Sequence, residues 1–63
     1  MTNEQKFLIQ SLTQHLVSYV MRDRNVSMIE AFRIVYHSHL FELLCDTETG
    51  LYTQSPLYLY QKL

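Results

Sequence analysis

Hydrophobic positions along the first third of the chain recur at helical spacing. Leu8, Ile9, Leu12, Leu16, Tyr19 and Val20 fall on one stripe, while Gln10, Ser11, Gln14, His15, Ser18 and Arg22 fall opposite. Thr2 and Gln5 stand three apart, the spacing at which a hydroxyl and an amide satisfy each other's free backbone N–H groups, so a helix is predicted from Thr2. Phe7 lies at the edge of the polar side, and Val17 with Met21 widens the apolar face beyond one helix contact. The polar Asp23-Arg24-Asn25 ends this helix, since Asp and Asn favour turns.

A second helix start follows at Ser27, with Glu30 three residues on and Val26 and Ala31 placed as a hydrophobic staple. Met28, Ala31, Phe32 and Val35 form its inner face, flanked by Ile29 and Tyr36. Only Glu30, Arg33 and His37 make a polar strip, so this helix is expected to be nearly enclosed. The phase then slips: Leu40, Leu43 and Leu44 follow the Tyr36 side rather than the Val35 side. That predicts a kink, or a new short helix capped by Ser38, with one helix from Met28 to Cys45 as the alternative.

Asp46-Thr47-Glu48-Thr49-Gly50 reads as a turn with Gly50 at positive φ, and Leu51-Tyr52-Thr53 as a short extended stretch. Ser55-Pro56 marks a last start, because proline suits the first helical position after a serine cap. It predicts a two-turn helix over Leu57–Leu63 that docks through Leu59, Tyr60 and Leu63. The whole chain, residues 1–63, is thus expected to be one all-α domain, a small three- to four-helix bundle with a short C-terminal helix.

Composition changes this picture in one respect. The chain is 48% hydrophobic, with five Tyr and three Phe, yet has only 63 residues. A domain this small buries roughly 60% of the surface its unfolded chain exposes, so some of those side chains must remain outside. Phe7, Val17, Met21, Tyr52, Leu57, Tyr58 and Tyr60 are the candidates for an interface. Tyrosine suits such a place, its ring packed and its hydroxyl wet. The plainer reading of the tail tyrosines is that they close a small core. One cysteine cannot form an internal disulfide, which leaves packing or self-association to support the fold.

Charge narrows the partners. Five basic against six acidic residues leave a net of −1, and Lys6, Arg22, Arg24, Arg33 and Lys62 are scattered. Nucleic-acid modules rely on a dense basic face for phosphate contacts, so binding to nucleic acid is not expected. Apolar runs are far shorter than the ~20 residues that span a bilayer, and no secretion-signal pattern is seen at Met1. With a lone thiol, the expectation is a cytoplasmic protein without a membrane contact.

The chemical candidates are few. His37 and His39 diverge on a helix, and with Cys45 they lack the tight spacing of zinc ligands; the expectation is a surface His37 and a His39 at a helix junction. Cys45 precedes Asp46, whose charge disfavours a thiolate, and reads as a small half-buried core residue. A single glycine rules out a phosphate-cradling loop. No cofactor, metal or small-molecule substrate is expected, and no enzymatic activity.

From Ser27 on, the text resembles a group of short bacterial proteins. The matching residues are Ser27-Met28-Ile29-Glu30-Ala31-Phe32 through Tyr36, then Leu44-Cys45-Asp46-Thr47-Glu48-Thr49-Gly50-Leu51-Tyr52 and Gln54-Ser55-Pro56-Leu57-Tyr58-Leu59-Tyr60. That group is similar to the domain-of-unknown-function 3791 family, although many of its members carry a different tail where this chain has Leu51-Tyr52-Thr53-Gln54-Ser55-Pro56. The resemblance implies a compact helical protein, often encoded beside a toxin-like one, and no catalytic residues. The expected function is therefore a protein-interaction module, homodimeric or bound to a partner protein. The regulatory half of a toxin–antitoxin-like pair is the role implied by the resemblance. A small helix-turn-helix DNA-binding protein is the alternative, with the second helix following the Asp23–Val26 turn.

Overall fold

In a computed structural model, described over residues 2–63, the chain folds into four helices with no strand among those residues. Helix α1 (Asn3–Arg24) is the spine. Its 22 residues account for the molecule's 33 Å long axis, at about 1.5 Å of rise per residue. The start is as the spacing predicts: the Thr2 hydroxyl accepts from the Gln5 backbone N–H at 3.0 Å, and the Gln5 side-chain Oε1 accepts from the Thr2 N–H at 2.9 Å. Asn25, left-handed at φ 53°, ends the helix.

Helix α2 (Met28–Tyr36) opens on Ser27, whose hydroxyl accepts from the Glu30 N–H; the return bond from the Glu30 carboxylate is absent among the described residues. The phase slip after Tyr36 resolves as a true break. Ser38 caps a separate α3 (His39–Cys45), accepting from the Phe41 N–H while its own hydroxyl donates to the Val35 carbonyl at 2.6 Å. One serine thus closes one helix and opens the next.

Two single 3-10 turns follow, Thr47–Thr49 and Leu51–Thr53, the second where an extended stretch is expected. Thr49 explains the compact turn. Its hydroxyl reaches the Leu43 carbonyl at 2.7 Å and the Asp46 carbonyl at 2.8 Å, holding the chain coiled instead of letting it run out. Gly50, at φ 70°, joins the two turns in a conformation that a side chain would strain. Helix α4 (Pro56–Tyr60) starts on Ser55 as expected but is shorter than the two turns predicted, giving way to a turn at Gln61.

The core runs along α1, where Leu16 and Val20 are fully buried together with Ala31 and Val35 of α2, Leu44 of α3 and Leu59 of α4. α2 covers one side of the spine; the second 3-10 turn and α4 cover another. Being covered on two sides widens the buried arc of α1. Val17, a candidate for the interface, is 4% exposed and belongs to the core, at the floor of a depression between α1 and α2. Thr13 is buried as well, its hydroxyl satisfied by the Ile9 carbonyl at 2.7 Å.

Candidate functional face

The C-terminal segment shows what becomes of the apolar surplus at one end. The Tyr52 hydroxyl accepts from the Gln5 side-chain amide at 3.1 Å, and the Tyr60 hydroxyl donates to the Asp23 carboxylate at 2.7 Å. The Tyr60 ring also meets the Tyr19 ring, with centroids 5.3 Å apart and the planes tilted. Both half-buried tyrosines fasten the tail to opposite ends of α1, which is the closing role that the plainer reading gives them. The Asp23 hydrogen bond raises the Tyr60 pKa above its ordinary value, assisted by burial and by the carboxylate's charge, with Arg24 and Arg22 pulling weakly the other way. Of the large hydrophobic side chains in this segment, Leu57 and Tyr58 stand exposed, and the Lys62 ammonium sits 5.0 Å from the Tyr58 ring centre.

The second helix departs from its expected enclosure. Met28, placed on the inner face by its phase, is 56% exposed, Ile29 is 71% exposed, and Tyr36 is also exposed. α2 packs chiefly on the spine and less on the short α3, and the exposure of Met28, Ile29 and Tyr36 leaves its outer flank open. Ile29, Phe32 and Tyr36 share that flank at i, i+3 and i+7. Phe32 and Tyr36 stack at 5.3 Å, and the Tyr36 ring meets the Phe41 ring edge-on at 4.8 Å, giving a continuous aromatic row.

Between α1 and α2 lie two adjoining depressions of about 350 Å3 each. Val17, Ser18, Met21 and Met28 line one; Ile9, Gln10, Thr13, Tyr36 and Phe41 line the other; Gln14 and Phe32 border both. None of these side chains is an acid, a lysine, an arginine or a histidine. Of the interface candidates read from sequence, Met21 sits half-buried in this face. Phe7, 68% exposed, shares its helical line with Gln14 and Met21, two turns further toward the N-terminus. Met28, Ile29 and Tyr36 were absent from the candidates. Their short polar strip signals a mostly apolar helix, but pattern alone does not say which apolar side lacks a partner.

The remaining chemistry is dispersed. His39 Nδ1 stands 3.4 Å from the Glu42 carboxylate, both well exposed, and among the described residues no three His, Cys, Asp or Glu side chains converge as a metal site would require. Cys45 is half-buried and burial raises its pKa, which favours the inert thiol. No helix among the described residues is long and apolar enough to cross a membrane. No family model, curated protein or solved structure matches this chain.

Proposed function

We propose that this protein is an interaction module that docks another polypeptide, a second copy or a different chain, on the face formed by α1 and α2. The observation that carries this reading is the pair of uncharged depressions meeting at Gln14 and Phe32, edged by exposed Met28, Ile29 and Tyr36. Exposed apolar patches of a few hundred Å2 mark interaction sites on small soluble proteins. A regulatory role in a toxin–antitoxin-like pair rests only on the resemblance to short bacterial proteins that are themselves similar to the 3791 family.

The helix-turn-helix alternative draws on a specific feature, the two-residue link His37-Ser38 between α2 and α3. It is weaker because α2 begins with the apolar Met28 and Ile29 and both first turns carry an acid, Glu30 in α2 and Glu42 beside His39 in α3, which phosphates repel.

A photo-activatable benzophenone residue at Met28, with the same residue at exposed Glu48 as control, tests the docking face in cells. A discrete adduct from position 28 is expected, absent from position 48 and diminished by Ile29→Glu in the same chain. Equal adducts from both positions, or none from either, overturn the reading.

A further inference from the structure

We infer that the occupant of the α1–α2 face is a second copy of this chain, related by a two-fold axis that passes beside Gln14 and runs the two α1 helices antiparallel; this rests on the docking face proposed above. Phe7, Gln14 and Met21 are spaced by sevens along α1. Successive members drift by about 20° around the helix and rise by about 10 Å, so the three form one outward line with Gln14 at its centre. An axis at Gln14 sets residue i of one copy opposite residue 28 − i of the other, by the arithmetic of 14 + 14. Phe7 then faces the partner's Met21, a ring against a thioether, which is a favourable contact. Gln10 faces the partner's Ser18, polar against polar. Gln14 faces its own copy, and a primary amide, carrying both donor and acceptor, is complementary to itself.

Charge argues for the same occupant. A two-fold interface pairs a surface with a second copy of itself, so a patch of one sign repels its mate. From Phe7 to Met21 the spine holds no Asp, Glu, Lys or Arg, although 17% of the chain is charged. The charged residues of α1 gather at its two ends: Glu4 and Lys6 at one, Arg22, Asp23 and Arg24 at the other. A face recognising a charged partner would show the opposite arrangement.

Size agrees as well. Phe7, Met28, Ile29 and Tyr36, with the half-exposed parts of Met21 and Phe32, present on the order of 500 Å2 of apolar surface, judged from side chains of roughly 150–250 Å2 each. A stable interface takes about 800 Å2 from each partner, an apolar centre with a polar rim, and Gln10, Gln14 and Ser18 supply the polar part. A domain of this length without a disulfide also gains stability from pairing.

A charge swap at the axis tests the arrangement. The full chain and its Gln14→Glu and Gln14→Lys variants are followed by light scattering over a concentration series, with helix content checked by circular dichroism. The wild type is expected to dimerise, each variant alone to bind itself about tenfold or more weakly, and an equimolar mixture of the two to recover the dimer. Only a geometry that brings position 14 to its own copy gives that recovery. Self-association of the single variants equal to the wild type, or no recovery in the mixture, overturns the axis. A wild type that stays monomeric throughout overturns the second copy as occupant; if the Met28 adduct then persists at a foreign mass, the docking face stands without it, and if that adduct is missing, both fail.

Discussion

Two regions of this molecule carry the same kind of surplus, aromatic and aliphatic side chains beyond a small core, and dispose of it in opposite ways. In the C-terminal segment each half-buried tyrosine has a polar hold on the spine, Tyr52 on Gln5 and Tyr60 on Asp23. On the α1–α2 face the exposed Met28, Ile29 and Tyr36 border depressions lined by uncharged side chains, and the exposed Tyr36 ring rests on Phe32 and Phe41, which themselves pack against the core. A phenol whose hydroxyl is bonded within the chain has its orientation fixed and its ring turned inward. An apolar flank without such ties loses nothing when another surface covers it. Apolar excess alone therefore does not identify an interface; the partners of its polar ends do.

The contrast breaks most visibly at the tail's anchor. Leu59 is fully buried, so Leu59→Ala is expected to destabilise the fold by about 2–5 kcal/mol, read as a lower denaturation midpoint at a concentration low enough to exclude association. A loss below about 0.5 kcal/mol would mean that α4 is a loosely held appendage, and its tyrosines would rejoin the interface candidates.

A smaller effect separates ring from hydroxyl. Tyr60→Phe keeps the contact with Tyr19 and removes an exposed hydrogen bond to Asp23, an expected cost of about 0.5–1 kcal/mol. The same bond gives a pH signature. The folded state raises the Tyr60 pKa, so its contribution is fully present below the phenol's unfolded value near 10 and is lost as pH rises through the folded value. Denaturation midpoints between neutral and strongly alkaline pH should thus fall more steeply for the wild type than for Tyr60→Phe. Parallel falls would show that the Asp23 bond does not hold the tail in solution.

The smallest effect is the sharpest discriminator. Ile29→Gln on the uncovered flank is expected to change monomer stability by less than about 0.5 kcal/mol, while Met28 adduct formation drops. A large stability loss would instead make Ile29 part of the domain's own packing and erase the difference between the two regions.

Much of the architecture was legible because its signals are local. Thr2, Ser27, Ser38 and Ser55 each cap a helix by bonding an N–H three residues ahead, a reach contained in the sequence itself. The break after Tyr36 was visible as a slip in apolar phase for the same reason. The 3-10 turn at Leu51–Thr53 was less legible: its side-chain bonds, Leu51 N–H to the Thr49 hydroxyl and the Thr53 hydroxyl to the Gly50 carbonyl, are local, but the aromatic and β-branched residues there equally suit extended chain.

Periodicity and capping thus determined that this chain is all-α, where each helix begins, and that more apolar surface exists than one small core absorbs. Tertiary structure alone decided which apolar residues are the surplus. Val17 and Met28 both belong to apolar stripes and line the same depression, yet Val17 at its floor is 4% exposed while Met28 at its edge is 56% exposed. A stripe specifies the side on which a helix is apolar. Whether another element arrives to cover that side depends on the paths of α2, α3 and the tail around α1, which no window of neighbouring residues contains.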